Sequence, residues 1–179
     1  MPLPAPVESL WNELQAVRAE ILNEIEGLSQ AQIDWRPSEQ DWCVGEIIHH
    51  LTLAEVSTGK LTSKLFKDGG ASLPSFPAGI TAFAPLPAWP PGPAEAPPVV
   101  RPEAGHQRDE LISTFKATRA RSRQSIERLA TADPRSLTWA HGRLGTLDLA
   151  QWWMLQAHHD ADHLRQLRAV KAAPGFPRA

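Results

Sequence analysis

The chain has no tyrosine, and Cys43 is its single cysteine in 179 residues. One thiol excludes an internal disulfide framework and suits a reducing compartment. No apolar run approaches the length that spans a bilayer, and the opening "MPLPAPVESL" has neither the basic nor the apolar region of a secretory signal. An excess of one charge is missing too. The 18 basic and 20 acidic residues are mixed along the chain for a formal charge of −2, which gives no electrostatic footprint for nucleic acid. Strand signals are scarce: no β-branched run alternates with polar residues, and no Asn-Gly or Asp-Gly marks a hairpin. These absences predict a soluble cytoplasmic protein with neither a nucleic-acid nor a membrane partner. Its length suits one domain, 1–179, large enough to bury a core.

What is present is helical periodicity, in four stretches. The first runs from about Val7 to Leu28, with Leu10, Leu14, Val17, Ile21 and Ile25 three or four apart. The second runs from about Val44 to Phe66, and the third from about Arg108 to Ala130 through Leu111, Phe115, Thr118, Ser122, Ile126 and Leu129. The last runs from about Leu147 to Val170, with Thr146 as the expected N-cap and Asp148 early, where a carboxylate favours the helix dipole. Helices of about 22 residues are roughly 33 Å long, and four of matched length predict an all-α four-helix bundle.

Ten of the 17 prolines lie between Pro74 and Pro102, so residues 67–106 can be neither helix nor central strand. So long a connection between helices two and three suits a crossover joining parallel neighbours rather than a tight hairpin. Phe76, Ile80, Phe83, Leu86 and Trp89 are more apolar bulk than a solvated linker carries. The segment is therefore expected to lie over the bundle and wall a pocket. Residues 171–179 read as a flexible tail.

Histidines carry the chemistry. At about 100° per residue, His159 and His163 in "HHDADHLRQL" lie about 40° apart on one side of the last helix. His158 falls about 120° from the middle of that side, at a rim. In the second helix His50 lies about 60° from the centre of the apolar side and His49 about 160° from it. Three inward imidazoles on two helices have the arrangement that a bundle uses to hold a metal. Neutral imidazole suits zinc, nickel or iron(II). Three protein ligands leave a position for water or a substrate. The plain alternative is a set of unrelated core and surface histidines.

Several other residues have a functional and an ordinary reading. Gln166 could orient a bound water or substrate, or make a structural hydrogen bond. Glu24 and Ser122 could accept from an imidazole N–H, although a solvated edge suits Glu24 and packing suits Ser122. Trp152 and Trp153 could line a pocket but read better as core, Asp160 and Asp162 read as solvated, and Cys43 as inert packing rather than a reactive thiol. His106 and His141 fall in or near loops without a clear signal.

"DWCVGEIIHHLTLAE" and "GRLGTLDLAQWWMLQAHHDADHLRQL" together resemble the DinB/YfiT-like family. Its second helix follows a Trp and a capping residue and carries a His-Leu pair. Its last helix carries His-x-x-x-His-x-x-Gln. "IDWRPSEQDW" and the Pro-rich crossover fit as well, so the resemblance covers almost the whole chain. One departure is Cys43, where the family commonly has Ser or Thr, although Glu46 remains to complete a capping box.

The resemblance implies a four-helix bundle, often dimeric, that binds a divalent metal through His50, His159 and His163. Relatives include transferases and isomerases that use low-molecular-weight thiols such as bacillithiol and mycothiol. It thus implies a thiol S-transferase acting on a small molecule, with thiolate or water activated by zinc, or alternatively nickel. Metal-dependent hydrolysis and a non-catalytic metal-binding stress-response bundle are the alternatives.

Overall fold

The computed structural model describes residues 2–92 and 95–178, the side chain of Ala71 excepted. Four long helices dominate: α1 (Ala5–Ile25), α3 (Val44–Gly69), α4 (Arg108–Leu129) and α5 (Leu149–Ala172). A short α2 (Gln30–Asp34) follows α1, and a two-stranded antiparallel hairpin, β1 (Thr138–His141) and β2 (Gly145–Asp148), precedes α5. The protein is a four-helix bundle, as its periodicity predicts. No described helix is long and apolar enough to cross a membrane.

Two apolar clusters give the helix directions. One gathers the end of α1 (Ile21, Ile25), the start of α3 (Ile47, Leu51), the start of α4 (Leu111, Phe115) and the end of α5 (Leu164, Leu167). The other gathers the start of α1 (Leu10, Leu14), the end of α3 (Leu65), the end of α4 (Ile126, Leu129) and the start of α5 (Leu149, Trp153). So α3 and α4 run parallel, and joining parallel neighbours requires a chain that travels the length of the bundle.

Helix α3 runs on to Gly69, so residues 67–69, expected in the crossover, are helical, because the segment's first proline comes only at Pro74. The Pro-rich segment that follows makes that journey in contact with the bundle. Asp133 N–H donates to Pro74 O at 2.8 Å, Phe76 and Phe83 pack on the second cluster, and Gln151 Nε2 donates to Pro85 O at 3.0 Å. At the far end Val100 is buried, and Arg108 N–H donates to Gln30 Oε1 at 2.7 Å. The C-terminal residues lie against α2. There Phe176 meets Trp35 edge-on at 5.5 Å, and Gln32 Nε2 donates to Pro177 O at 2.9 Å.

Three helices start with reciprocal capping boxes, which satisfy backbone N–H groups that the helix leaves open. Cys43 caps α3: its Sγ accepts from Glu46 N–H at 3.4 Å, while Glu46 Oε2 accepts from Cys43 N–H at 2.8 Å. Ser29 and Gln32 do the same for α2. Asp148, not Thr146, caps α5 with Gln151. Thr146 is in β2 instead, because the hairpin carries the chain extended up to Asp148. That hairpin was hidden from the sequence: its strands have four residues each, and its turn closes on Gly145 at φ +75° rather than on Asn-Gly.

Between the two apolar clusters lies a layer of charge. Arg18 (α1), Glu55 (α3), Arg119 (α4) and Asp160 (α5) are each no more than 4% exposed. Arg119 Nε donates to Glu55 Oε1 at 2.7 Å and its Nη2 to Asp160 Oδ2 at 2.9 Å. Arg18 binds Glu55 and reaches Asp160 at 3.3 Å, and Gln156 Nε2 gives Asp160 a further bond at 2.8 Å. Two cations and two anions thus form a neutral knot that touches every long helix. Asp160 is therefore not solvated. It is fully buried, because the opposing charges come from helices remote in sequence.

Candidate metal centre

The site begins with backbone geometry. Residues four apart on a helix stand one above the other, which stacks His159 over His163 on α5. The capped start of α3 sets His50 opposite them. His50 Nε2 lies 2.9 Å from His159 Nε2, and His163 Nε2 lies 3.2 Å from the same atom. One ligand atom from each ring falls within 4.8 Å of the others, so the three residues selected by helical angle are brought together. Ligands about 2.1 Å from a common ion stand roughly 3.0–3.4 Å apart, close to these separations.

Hydrogen bonds to the outer nitrogens fix two of the rings. His50 Nδ1 is 2.7 Å from Val100 O, and a carbonyl can only accept, so the proton is on Nδ1. His163 Nδ1 is 2.7 Å from Gln166 Oε1, which fixes the same tautomer there. Both rings therefore turn a bare Nε2 lone pair toward His159. His159 Nδ1 is buried and has no partner among the described residues. Protonated at Nε2, His159 would share one hydrogen between two acceptors and leave Nδ1 bare; protonated at Nδ1, it would add a third converging lone pair. Either tautomer leaves negative potential that a cation relieves.

A proton is a poor candidate for that cation. Burial, reinforced by the neighbouring imidazoles, pushes His159 down to about 2. Burial also takes His50 to about 4 against the opposing bond from Val100, and it lowers His163 despite the bond from Gln166. All three rings are neutral at pH 7, the form in which imidazole ligates metal. The donor set fits a divalent ion.

Trp42 closes one side: it stacks on His163 with centroids 5.9 Å and planes 17° apart, and tilts over His50 at 4.9 Å. Beside it opens a cleft of about 440 Å³, bordered by Trp42, His163, Gln166, Glu95 and Arg101. Glu95 and Arg101 come from the crossover, which thus supplies one wall.

The remaining candidates lie elsewhere. His158 is exposed. His49 turns to the crossover, where its Nδ1 accepts from Glu103 N–H at 3.0 Å and lies 3.0 Å from His106 Nε2. His141 belongs to the hairpin, where its Nδ1 accepts from Arg143 and Leu144 N–H. Glu24 is engaged by Arg168 at 2.7 Å and Lys171 at 2.5 Å, and Ser122 donates to Thr118 O at 3.1 Å, so neither holds an imidazole. Asp162 is an exposed partner of Arg165. Trp153 is fully buried with its Nε1 donating to Thr62, whereas Trp152 is half-buried. Cys43 is buried, and burial raises its thiol, so it is not poised as a nucleophile. The support that sequence reasoning missed is Val100 O, a backbone atom in a loop that carries no residue-type signal.

The model of the DinB superfamily matches residues 13–167. The chain belongs to the DinB superfamily. Among solved structures, it superposes on TT2238, a four-helix bundle protein, with a TM-score of 0.62 and 19% identity over 91% of this chain and 98% of that one. It matches YfiT from Bacillus subtilis, described as "a probable metal-dependent hydrolase with an unusual four-helix bundle topology", with a TM-score of 0.62 and 13% identity over 96% and 89% of the two chains. At those identities the likeness is one of fold. A curated relative, the uncharacterized protein YuaE from Bacillus subtilis, is 32% identical over 60 residues, 34% of this DinB-superfamily chain. That match spans only 35% of YuaE's length.

Proposed function

We propose that this protein is a metal-dependent enzyme in which His50, His159 and His163 hold one divalent ion, and that it transfers a low-molecular-weight thiol onto an electrophile in the adjoining cleft. The observation that carries the reading is the meeting of three Nε2 atoms, two of them forced to present lone pairs. Zinc is the expected ion and nickel the next, since three imidazoles accept both. Bound there, the ion supplies Lewis acidity that brings a thiol or water to its nucleophilic form at neutral pH.

The chain's own residues do the rest. Val100 O and the Gln166 amide hold the His50 and His163 rings in the ligating tautomer. Trp42 covers that face of the rings, and the crossover borders the cleft in which a small-molecule electrophile is oriented. A homodimer in the cytoplasm is part of the proposal, on the family resemblance. Hydrolysis is the second reading, favoured by the description of YfiT.

Metal analysis of untagged protein tests the site. Wild type should carry one equivalent, His50→Ala, His159→Ala and His163→Ala should each lose it, and exposed His158→Ala should keep it. Stoichiometric metal in all three ligand variants would refute the site. Cobalt-substituted protein then reports on the chemistry. A thiol that enters the coordination shell produces a sulfur-to-metal charge-transfer band, and silence across a panel of thiols would favour hydrolysis.

A further inference from the structure

The cleft beside His163 contains two donors that no described residue engages. Arg101 is exposed on the crossover wall, and among the described residues its guanidinium has no acceptor. Several other arginines are committed: Arg36 to Glu46, Arg123 to Glu127, and Arg168 to Glu20 and Glu24. Gln166 turns its Oε1 to His163 Nδ1, so among the described residues its amide NH2 has no acceptor, and it borders the same cleft. One wall thus offers a guanidinium fork and the facing helix a neutral amide, with the Trp42 ring alongside. A planar fork matches a carboxylate in two-point fashion, and the amide supplies a third hydrogen bond.

We infer that this cleft takes a small molecule bearing a carboxylate, seated on Arg101 and the Gln166 amide with its reacting end toward the three histidines. The inference rests on the enzyme reading above and names the substrate class for that same site. Two acids also border the cleft. Asp41 accepts from Ser38 Oγ at 2.7 Å, and Glu95 forms no ion pair among the described residues. They offset the charge of Arg101, so the carboxylate is placed by hydrogen bonds to the fork and the amide rather than by the net field, and polyanions are disfavoured most.

Four probes separate the carboxylate from the thiol: N-acetylcysteine, N-acetylcysteinamide, N-acetylserine and N-acetylserinamide. Binding to the zinc-loaded full chain is followed by calorimetry, beside Arg101→Gln and Arg101→Lys. The solvent-exposed position of Arg101 leaves the bundle intact in both, with circular dichroism as the check.

Each acid should bind about threefold to tenfold more tightly than its amide, the range for an exposed charge-assisted contact. Arg101→Gln should erase that preference, and Arg101→Lys should keep part of it. No acid preference in the wild type, or no measurable binding of any probe, overturns the inference. A preference that survives Arg101→Gln also overturns it, because the carboxylate would then sit on the metal. The thiol reading is scored separately. Cysteine probes that bind no better than serine probes sink thiol transfer, while an Arg101-dependent acid preference would still stand.

Discussion

Gln166 acts on the site without touching its centre. Its Oε1 accepts from His163 Nδ1 at 2.7 Å, which keeps the opposite nitrogen free of a proton and the ring turned inward. Gln166→Leu keeps the bulk and removes the acceptor. It should weaken metal binding by about 10- to 100-fold, the usual cost of losing such a support. Competition with a chromogenic chelator measures this, and an unchanged affinity would make Gln166 a bystander. At this scale the clustering of His50, His159 and His163 was legible, since spacing on two helices suffices to gather them. Asp160 was not: beside His159 it looks like one more polar residue, and only Arg18 and Arg119, on distant helices, make it a core residue. Arg18 interrupts an apolar seam between Leu14 and Ile21, and Asp160 one between Ala157 and Leu164. Comparing such interruptions across helices is the signal that would have found them.

Among the elements, the long helices were legible because each is an amphipathic repeat of many turns, and their observed starts and ends fall within three residues of the periodicity. The short pieces were not. Helix α2 spans five residues, too few for a period, although its Ser29–Gln32 capping box was written in the sequence. The hairpin fixes the start of α5 at Asp148, whose Oδ1 accepts from Gln151 N–H at 2.8 Å. Burial raises the Asp148 carboxyl above its ordinary 3.8. The folded protein therefore holds that proton more tightly than the unfolded chain does, and stability falls as pH rises above 3.8. Asp148→Asn retains the cap without the charge, so it should match or exceed wild type at neutral pH and flatten that decline. Asp148→Ala should cost about 0.5–2 kcal/mol. Urea melts across pH decide the matter, and an asparagine variant as unstable as the alanine one would contradict this account.

At the scale of the whole molecule, the charged layer divides the core into two apolar halves and ties all four long helices at one level. A bundle held by apolar surface alone tolerates sliding of one helix along another, because leucine contacts are interchangeable. Here a slide of α5 by one turn would carry Asp160 away from both arginines, leaving buried charges unpaired at several kcal/mol per ion, on the order expected for desolvation. The layer thus fixes the height of α5 against α3, which is the coordinate that brings His159 and His163 level with His50. Removing one partner should be severe: Glu55→Gln or Arg119→Met alone should each cost about 3–5 kcal/mol of unfolding free energy. The pair together removes one anion and one cation and leaves Arg18 facing Asp160, so the double variant should lose markedly less than the sum of the two single losses. Denaturant unfolding of the four proteins in this cycle gives the coupling directly. Additive losses would mean that Glu55 and Arg119 act independently, and the height of α5 would then have to be set by packing alone.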